Sequence, residues 1–483
     1  MSASSAPSGV YLERSALTRL REALGAAERA VAGAKVCLPA HGFLASVLLK
    51  LGRVQDAEEV IRHAEELPTG VADAYDGLAF VAMVLGRHDQ ANALYHRATQ
   101  VAPAEPRLWY NLACSERSLG RLPEAEAACD RAIALDASQF PTYLLRSELR
   151  VQSADANHIG ELKALLTKPD VGYRAKVVLG YALAKELDDL GQFDEAFQWF
   201  AAAARARRSR LAYQVATDEQ KLKRIIEVYP QATPSRRCPV NSARYVFIVG
   251  LPRSGTTLLE RILTGLSDIR SNGETDNFSR ALLAATRGTG DVFANAAAAE
   301  PQAVAQNYAQ YAEPGVPATH IVEKLPMNYL YLGAIRQALP EARILLVSRA
   351  PLDSCFAMFR TLFAAGYPFS YDFEDLARYY AAYQGLMNHW RSALGGNLHE
   401  VVYEDLVHEP RRIGERAAHY CALSWNDAAV EIQNNRSASL TASAAQVRRP
   451  IYGSSSGRWR HYRAHLAPLI GALRAHGVAP SED

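Results

Sequence analysis

The chain has 483 residues, too many for one ordinary hydrophobic core, so two domains are expected. Its 53 basic and 51 acidic residues leave a formal charge of +2, which speaks against a duplex-DNA binder or a polybasic membrane binder. Apolar residues make up 49% of the chain but come in amphipathic pieces, none near the roughly 18 uninterrupted apolar residues of a spanning helix. The opening MSASSAPSGVYLERSALTRL lacks the charged-then-apolar pattern of a leader, so a soluble, cytoplasmic chain is expected. The 6 cysteines are scattered without a CxxC pair, and no metal site is expected.

The N-terminal half repeats itself. LGRVQDAEE at Leu51, LGRHDQANA at Leu85 and LGRLPEAEA at Leu119 begin 34 residues apart, and LGQFDEAFQ follows at Leu190, 71 residues later. Glycine at an inter-helix turn, a small alanine where helices approach, and bulky apolar residues elsewhere (Tyr95, Trp109, Leu112, Phe197) give a pattern that resembles the tetratricopeptide repeat (TPR). Ser153 to Gly180 reads as a degenerate copy. The resemblance implies an all-helical superhelix over residues 1–228 with a concave groove suited to a peptide or protein segment. Three uses of the groove stay open: docking a partner, making a homodimer, or packing on the second domain.

Periodicity ends in YPQATPSRRCPVNSA, Tyr229 to Ala243, which reads as a linker at 229–243. The stretch RYVFIVGLPRSGTTLLERIL then reads as a buried strand (Tyr245 to Val249), a tight turn and a helix with Leu258, Leu259, Ile262, Leu263 and Leu266 on one face. Four residues separate Gly250 from Gly255, the spacing of a phosphate loop whose backbone N–H groups and helix N-terminus cradle an anion. The lysine of a nucleotide hydrolase is missing: Thr256 and Thr257 follow the second glycine, and the cation, Arg253, stands inside the loop. Such a loop holds phosphate without driving metal-dependent γ-phosphoryl transfer.

Further strand-like runs lie at Thr319 to Val322, Arg343 to Val347 and Glu400 to Tyr403, separated by helical stretches such as Asn328 to Leu339. Strands alternating with helices predict a mainly parallel sheet in an α/β domain spanning 244–483, with ligands at the carboxyl ends of the strands. Arg253, Lys324, Arg349 and Tyr403 all fall at such ends. Lys324 is the only lysine after Lys223, in a region that otherwise takes its positive charge from arginine.

PRSGTT, SNGET (Ser271 to Thr275), VEKLPMN (Val322 to Asn328), LLVSRAPLDS (Leu345 to Ser354), VYEDLV (Val402 to Val407) and SAAQVRRPIYGSSSGRW (Ser443 to Trp459) line up in order with the tyrosylprotein sulfotransferases and the bacterial TPR sulfotransferases. The resemblance covers nearly the whole second domain. It implies a P-loop-like fold that uses 3′-phosphoadenosine 5′-phosphosulfate (PAPS), releases adenosine 3′,5′-bisphosphate and needs no metal. It places Arg253, Ser254, Gly255, Thr256 and Thr257 at the 5′-phosphosulfate, Arg349 at the 3′-phosphate and Tyr403 on the nucleotide. Ser443 opens the segment that covers the cofactor, with Gln446, Val447, Arg448, Arg449 and Tyr452 near it, and Arg458 stands where the family has a lysine. Eight residues after Arg349 the family's serine is replaced by Ala357, leaving Ser354 or Arg360 to substitute.

By the same resemblance Glu274 is the catalytic base, with His320 as the alternative, and Arg253, Lys324 and Ser443 stabilise the leaving oxygen. The acceptor implied is a tyrosine of a peptide or protein held by the repeats; a carbohydrate, lipid or small molecule, a P-loop nucleotide kinase, and a scaffold with an inactive transferase domain are the alternatives. Because the repeats carry none of these residues, a fragment starting at the linker is expected to keep nucleotide binding.

Overall fold

The computed structural model describes residues 14–33, 38–50, 53–65, 70–231, 233–235, 237–267, 269–313, 318–363, 366–441, 443–453 and 455–480. The helices α1 (Arg14–Gly33), α2 (Leu38–Lys50), α3 (Val54–Glu65), α4 (Ala72–Val84), α5 (His88–Val101), α6 (Pro106–Leu119), α7 (Leu122–Leu135), α8 (Phe140–Glu148), α9 (Ile159–Leu166), α10 (Tyr173–Asp189), α11 (Phe193–Arg208) and α12 (Val215–Val228) follow one another with no strand among the described residues. The LG dipeptides at Leu85, Leu119 and Leu190 close α4, α6 and α10; the one at Leu51 lies outside the described residues. Small residues let paired helices approach, as where Gly180 of α10 meets Ala203 of α11. The degenerate stretch forms the short α9 and the first part of α10.

The second half is a five-stranded parallel sheet. Its strands are β1 (Tyr245–Gly250), β2 (Ile269–Ser271), β3 (His320–Lys324), β4 (Arg343–Ser348) and β5 (Leu398–Val402), in the order β2-β3-β1-β4-β5. Around it lie α13 (Thr256–Leu263), α14 (Asn277–Ala285), α15 (Val292–Ala297), α16 (Pro301–Ala312), α17 (Leu332–Ala338), α18 (Pro351–Phe359), α19 (Phe373–Leu394), α20 (Tyr403–His408), α21 (Pro410–Tyr420) and α22 (Ala467–Ala475). The expected helix at Asn328 to Leu339 is instead a 3₁₀ turn, Pro326–Tyr331, leading into α17.

All six residues of β1 are buried, and the side chains part by the two-residue period of a strand. Tyr245, Phe247 and Val249 join one core, and Val246 and Ile248 join the other, with Leu258, Leu259 and Val322. A strand covered on both faces must be apolar throughout, which is why β1 reads as an unbroken run. It sits where the strand order turns, with β3 on one side and β4 on the other, so its carboxyl end opens into the crevice that binds ligands in such sheets.

The core that takes Tyr245 and Phe247 also contains Leu183, Leu187 and Phe200 of the repeats and Trp390 of α19. Tyr229, the first residue of the expected linker, is buried there, its ring 6.2 Å from that of Trp390. Several repeat helices also hold the sheet domain by polar contacts, among them α11 through Arg208 to Asp375 at 2.6 Å and α12 through Glu219, which accepts from Arg378 at 2.9 Å. Leu49 O of α2 accepts from Arg280 Nη2 of α14 at 3.1 Å, Ser118 O of α6 accepts from Arg448 Nη2 at 2.8 Å, and Asp188 of α10 accepts from Arg360 and Arg458. A fragment starting at the linker, expected to keep nucleotide binding, would thus have an opened core and would lose the repeat-side partners of two candidate nucleotide residues, Arg448 and Arg458.

Gly120 ends α6 with φ 80°, and a Cβ there would stand 2.6 Å from Arg448 Nε. Gly120→Ala is expected to cost about 1–3 kcal/mol, measured as a lowered urea midpoint at unchanged slope, because alanine meets both a left-handed backbone and the docked guanidinium.

Candidate active site

The loop after β1 delivers backbone N–H groups and a cation to one place because its residues bend sharply. Arg253 adopts φ 66°, a left-handed conformation in which a non-glycine residue is strained, as is common at binding sites. Gly255 follows at φ 101° as the N-cap of α13, and a Cβ there would lie 2.3 Å from the Tyr403 ring. Only glycine lets the helix start against that ring. Ser254, Thr256 and Thr257 are buried at the turn, and the Ser254 Oγ has no protein partner.

Arginines crowd this loop. Arg349 donates from Nη1 to Arg253 O at 2.9 Å and from Nη2 to Ser455 O at 2.5 Å, and its guanidinium lies 4.6 Å from the centroid of the Tyr403 ring. Burial, then the charge of Arg360 and, after the opposing pull of Glu148, that of Arg349, hold the Arg253 guanidinium below its ordinary value. Several cations that disfavour one another's charge around a phosphate loop are a site for a polyanion. A cleft of ≈ 270 Å³ opens beside them, lined by Leu251, Ser254, Arg349, Ser354 and Tyr383. The Arg349 Nε is buried there without a protein partner.

The Ser443 segment lies against the loop. Arg253 Nη1 donates to Ser443 Oγ and Arg253 Nη2 to Gln446 Oε1 at 3.0 Å. Gly457 N donates to Asp353 at 2.9 Å, pinning the far end of the segment to α18. Val447 is buried in the core beneath, Tyr452 is exposed, and Arg449 joins through its N–H to Gln446 O. Two residues point elsewhere: Arg448 is docked on Ser118 O and Asn435 O, and Arg458 on Asp188 at 2.7 Å. Of the residues suggested to replace the serine missing at Ala357, Ser354 lines the cleft with its Oγ donating to Arg349 O at 3.2 Å, and Arg360 pairs with Asp188 at 2.7 Å through Nη1 while its buried Nε has no protein partner.

One strand away, Lys324 is the last residue of β3, with its Cα opposite Ile248 of β1. Its ammonium is fully buried and donates to Glu274 Oε1 at 2.5 Å, with Glu260 of α13 at 3.6 Å. Burial opposes this charge, but Glu274 and Glu260 outweigh it and hold the lysine above its ordinary value. Glu260 also accepts from Ser271 Oγ at 2.5 Å. The loop bearing Glu274 is fixed by Asn272 N to Val322 O at 2.9 Å and by Lys324 N to Gly273 O at 3.2 Å. The alternative base is misplaced: His320 opens β3, four residues and about 13 Å from Lys324 at the opposite edge of the sheet. Tyr403 begins α20 instead of ending a strand, yet its ring still reaches the loop.

Glu260 and Asp188 complete the site and were not singled out in the sequence. Glu260 falls with Thr256, Thr257 and Thr264 on the side of α13 away from most of its leucines, and Asp188 stands in ELDD, so each looks in sequence like an ordinary helix acid. Among the described residues no group of three or more His, Cys, Asp or Glu is arranged to hold a metal, and no helix is long and apolar enough to cross a membrane.

Helical repeats followed by a parallel sheet, with a glycine-bearing loop at its switch point and a Lys–Glu pair on the next strand, define the class as a two-part helical-repeat and α/β protein. Residues 245–427 match the family model described as sulfotransferase family, and residues 12–71 and 78–140 match tetratricopeptide repeat models. The chain thus combines tetratricopeptide repeats with a sulfotransferase-family domain. It is 28% identical over 384 residues to an uncharacterized protein of Aquifex aeolicus (strain VF5), covering 76% of this chain and spanning about half (50%) of that curated relative. Similar solved structures include the sulfotransferase domain from the Synechococcus PCC 7002 olefin synthase (14% identity, 52% of this chain, 100% of that one, TM-score 0.34). A sulfotransferase from Alicyclobacillus acidocaldarius is another (18% identity, 48% of this chain, 94% of that one, TM-score 0.27).

Proposed function

We propose that the protein transfers the sulfuryl group of PAPS to an acceptor hydroxyl, a tyrosine of a peptide or protein presented by the repeats. The observation that carries this reading is the buried Lys324–Glu274 pair one strand from a cation-rich phosphate loop. The nucleotide, when bound, supplies a sulfuryl group activated by a phosphate leaving group. Its phosphates would be held by the N–H groups of the loop, by Arg253, Ser254, Thr256 and Thr257, and by Arg349, with Tyr403 against the rest. Buried Ser254 Oγ and Arg349 Nε, both lacking protein partners, and the mutual repulsion of the arginines support that fit.

Arg253, Lys324 and Ser443 are the donors assigned to the oxygen on which charge grows, each worth about 10²–10³ in rate by analogy with oxyanion-hole deletions. Glu274 accepts the acceptor's proton, and the Lys324 ammonium holds its carboxylate in place. No metal enters this scheme, because arginine and lysine stand where a hydrolase places lysine and a metal ion, and transfer is expected to survive EDTA. We assign residues 1–228 to acceptor presentation, 244–483 to chemistry and 229–243 to their junction. The free thiols fit the reducing cytoplasm.

Adenosine 3′,5′-bisphosphate at about 100 times its dissociation constant is expected to stabilise the full chain by about 2.7 kcal/mol, read as a raised thermal midpoint. ATP with Mg²⁺ is expected to do so far less. Equal or greater stabilisation by ATP/Mg²⁺ would favour the kinase reading and overturn this one.

A further inference from the structure

Lys324 faces α13, but its neighbour Glu323 faces the other side of the sheet, as alternate residues of a strand must. Glu323 is fully buried, opposite Phe247 of β1 in register. Around its carboxylate the donors come from the segment that carries Glu274. Thr275 Oγ1 donates to Oε1 at 2.7 Å, and Asn272 Nδ2 and Asn277 Nδ2 donate to Oε2 at 3.2 and 3.3 Å. The Tyr308 hydroxyl of α16 donates to Oε2 from 3.4 Å. Three side chains of one six-residue stretch, Asn272 to Asn277, thus end on one carboxylate behind the site, while Glu274 points forward to Lys324.

We propose that Glu323 is a positioning residue: its ionised carboxylate gathers the Asn272–Asn277 segment and so sets Glu274 against Lys324. This rests on the reading of Glu274 as the base. A carboxylate accepts at both oxygens in charge-assisted bonds, whereas a protonated acid or an amide makes weaker neutral bonds and turns one end into a donor that only the Thr275 or Tyr308 hydroxyl, not the Asn272 and Asn277 amides, can accept. The grip on the segment therefore depends on the charge. The titratable and charged groups around Glu323 are Tyr308 of α16, Asp276 before α14 and Arg270 of β2. Burial raises the Glu323 carboxyl to about 7 against the pull of Thr275, Asn272 and Asn277, and Asp276 adds to the rise. The charged form is thus present above neutral pH and lost below it.

The test compares full-length wild type, Glu323→Gln and Glu274→Gln, with PAPS as donor and p-cresol, the tyrosine side chain alone, as acceptor. Hydrogen exchange of the Ser271–Asn277 peptide is followed in the same proteins. Glu323→Gln is expected to lower kcat at least about tenfold at pH 8, to leave KM for PAPS unchanged, and to speed exchange of that peptide while the phosphate loop keeps its rate. At pH 6, where the wild-type carboxyl is itself protonated, the two proteins are expected to converge. A merely structural role would lower kcat equally at both pH values. That result, or unchanged exchange of the peptide, would overturn the proposal, and the exchange result decides even at low turnover. Wild-type turnover by Glu274→Gln would instead sink the reading of Glu274 as base, whatever Glu323→Gln does.

Discussion

Replacing Glu274 with glutamine is expected to cut turnover of a phenolic acceptor by about 10²-fold or more, within the usual contribution of a general base, while nucleotide affinity hardly changes. Glutamine keeps the shape and the contact with the Lys324 ammonium, held at 2.5 Å, but cannot take a proton. The nucleotide's candidate ligands lie on the loop after β1, on Arg349 and on the Ser443 segment, none of which touches Glu274 by a hydrogen bond that the structure shows. A variant that turns over at the wild-type rate would send the proton elsewhere, and the nearest carboxylate at Lys324 is Glu260, at 3.6 Å; His320 lies at the far edge of the sheet.

The second large effect is expected at Asp188. This buried carboxylate of α10 takes Nη1 of Arg360 and Nη2 of Arg458, each at 2.7 Å, and the Tyr462 hydroxyl. Asp188→Ala leaves two half-buried guanidiniums and the Tyr462 hydroxyl without their carboxylate and is expected to cost about 1–3 kcal/mol in chemical unfolding. It is also expected to weaken binding of adenosine 3′,5′-bisphosphate, because Arg458, docked on Asp188, anchors the far end of the Ser443 segment. Burial pushes the Asp188 carboxyl up, but Arg360 and Arg458 prevail and hold it below its ordinary value. A depressed folded pKa means that its stabilisation is complete above the unfolded value of about 3.9 and is lost as pH falls through the folded one. The gap between wild type and Asp188→Asn is therefore expected to be full at pH 7 and to close in acid. A gap that persists unchanged in acid would show that packing, not charge, is what the aspartate contributes.

What could be read in the sequence was local. The unbroken apolar run of β1 announces a strand buried on both faces, and the LG dipeptides announce helix turns at a fixed period. Four of the five strands were legible for the same reason. β2 was not, since its three residues, Ile269–Ser271, are only half-buried and carry no run. Glu274 and Lys324 were legible through short motifs, and the sheet brings them into contact. Glu260, Glu323 and Asp188 were not, because each looks in sequence like an ordinary charge on a helix or strand. Their roles come from contacts set by topology: Asp188 and Arg458 are 270 positions apart. Arg448 and Arg458 show the converse, residues singled out by motif whose side chains the fold commits to the repeats.

The repeats touch the sheet domain along their length, through Leu49 O on α2, Ser118 O on α6, Asp188 on α10, Arg208 on α11 and Glu219 on α12. An arch footed at both ends cannot change its span freely. Inserting or deleting one 34-residue unit between α2 and α10 would lift a foot, so here the number of repeats acts as a ruler fixed by the site beneath, unlike a free solenoid that can lengthen at will.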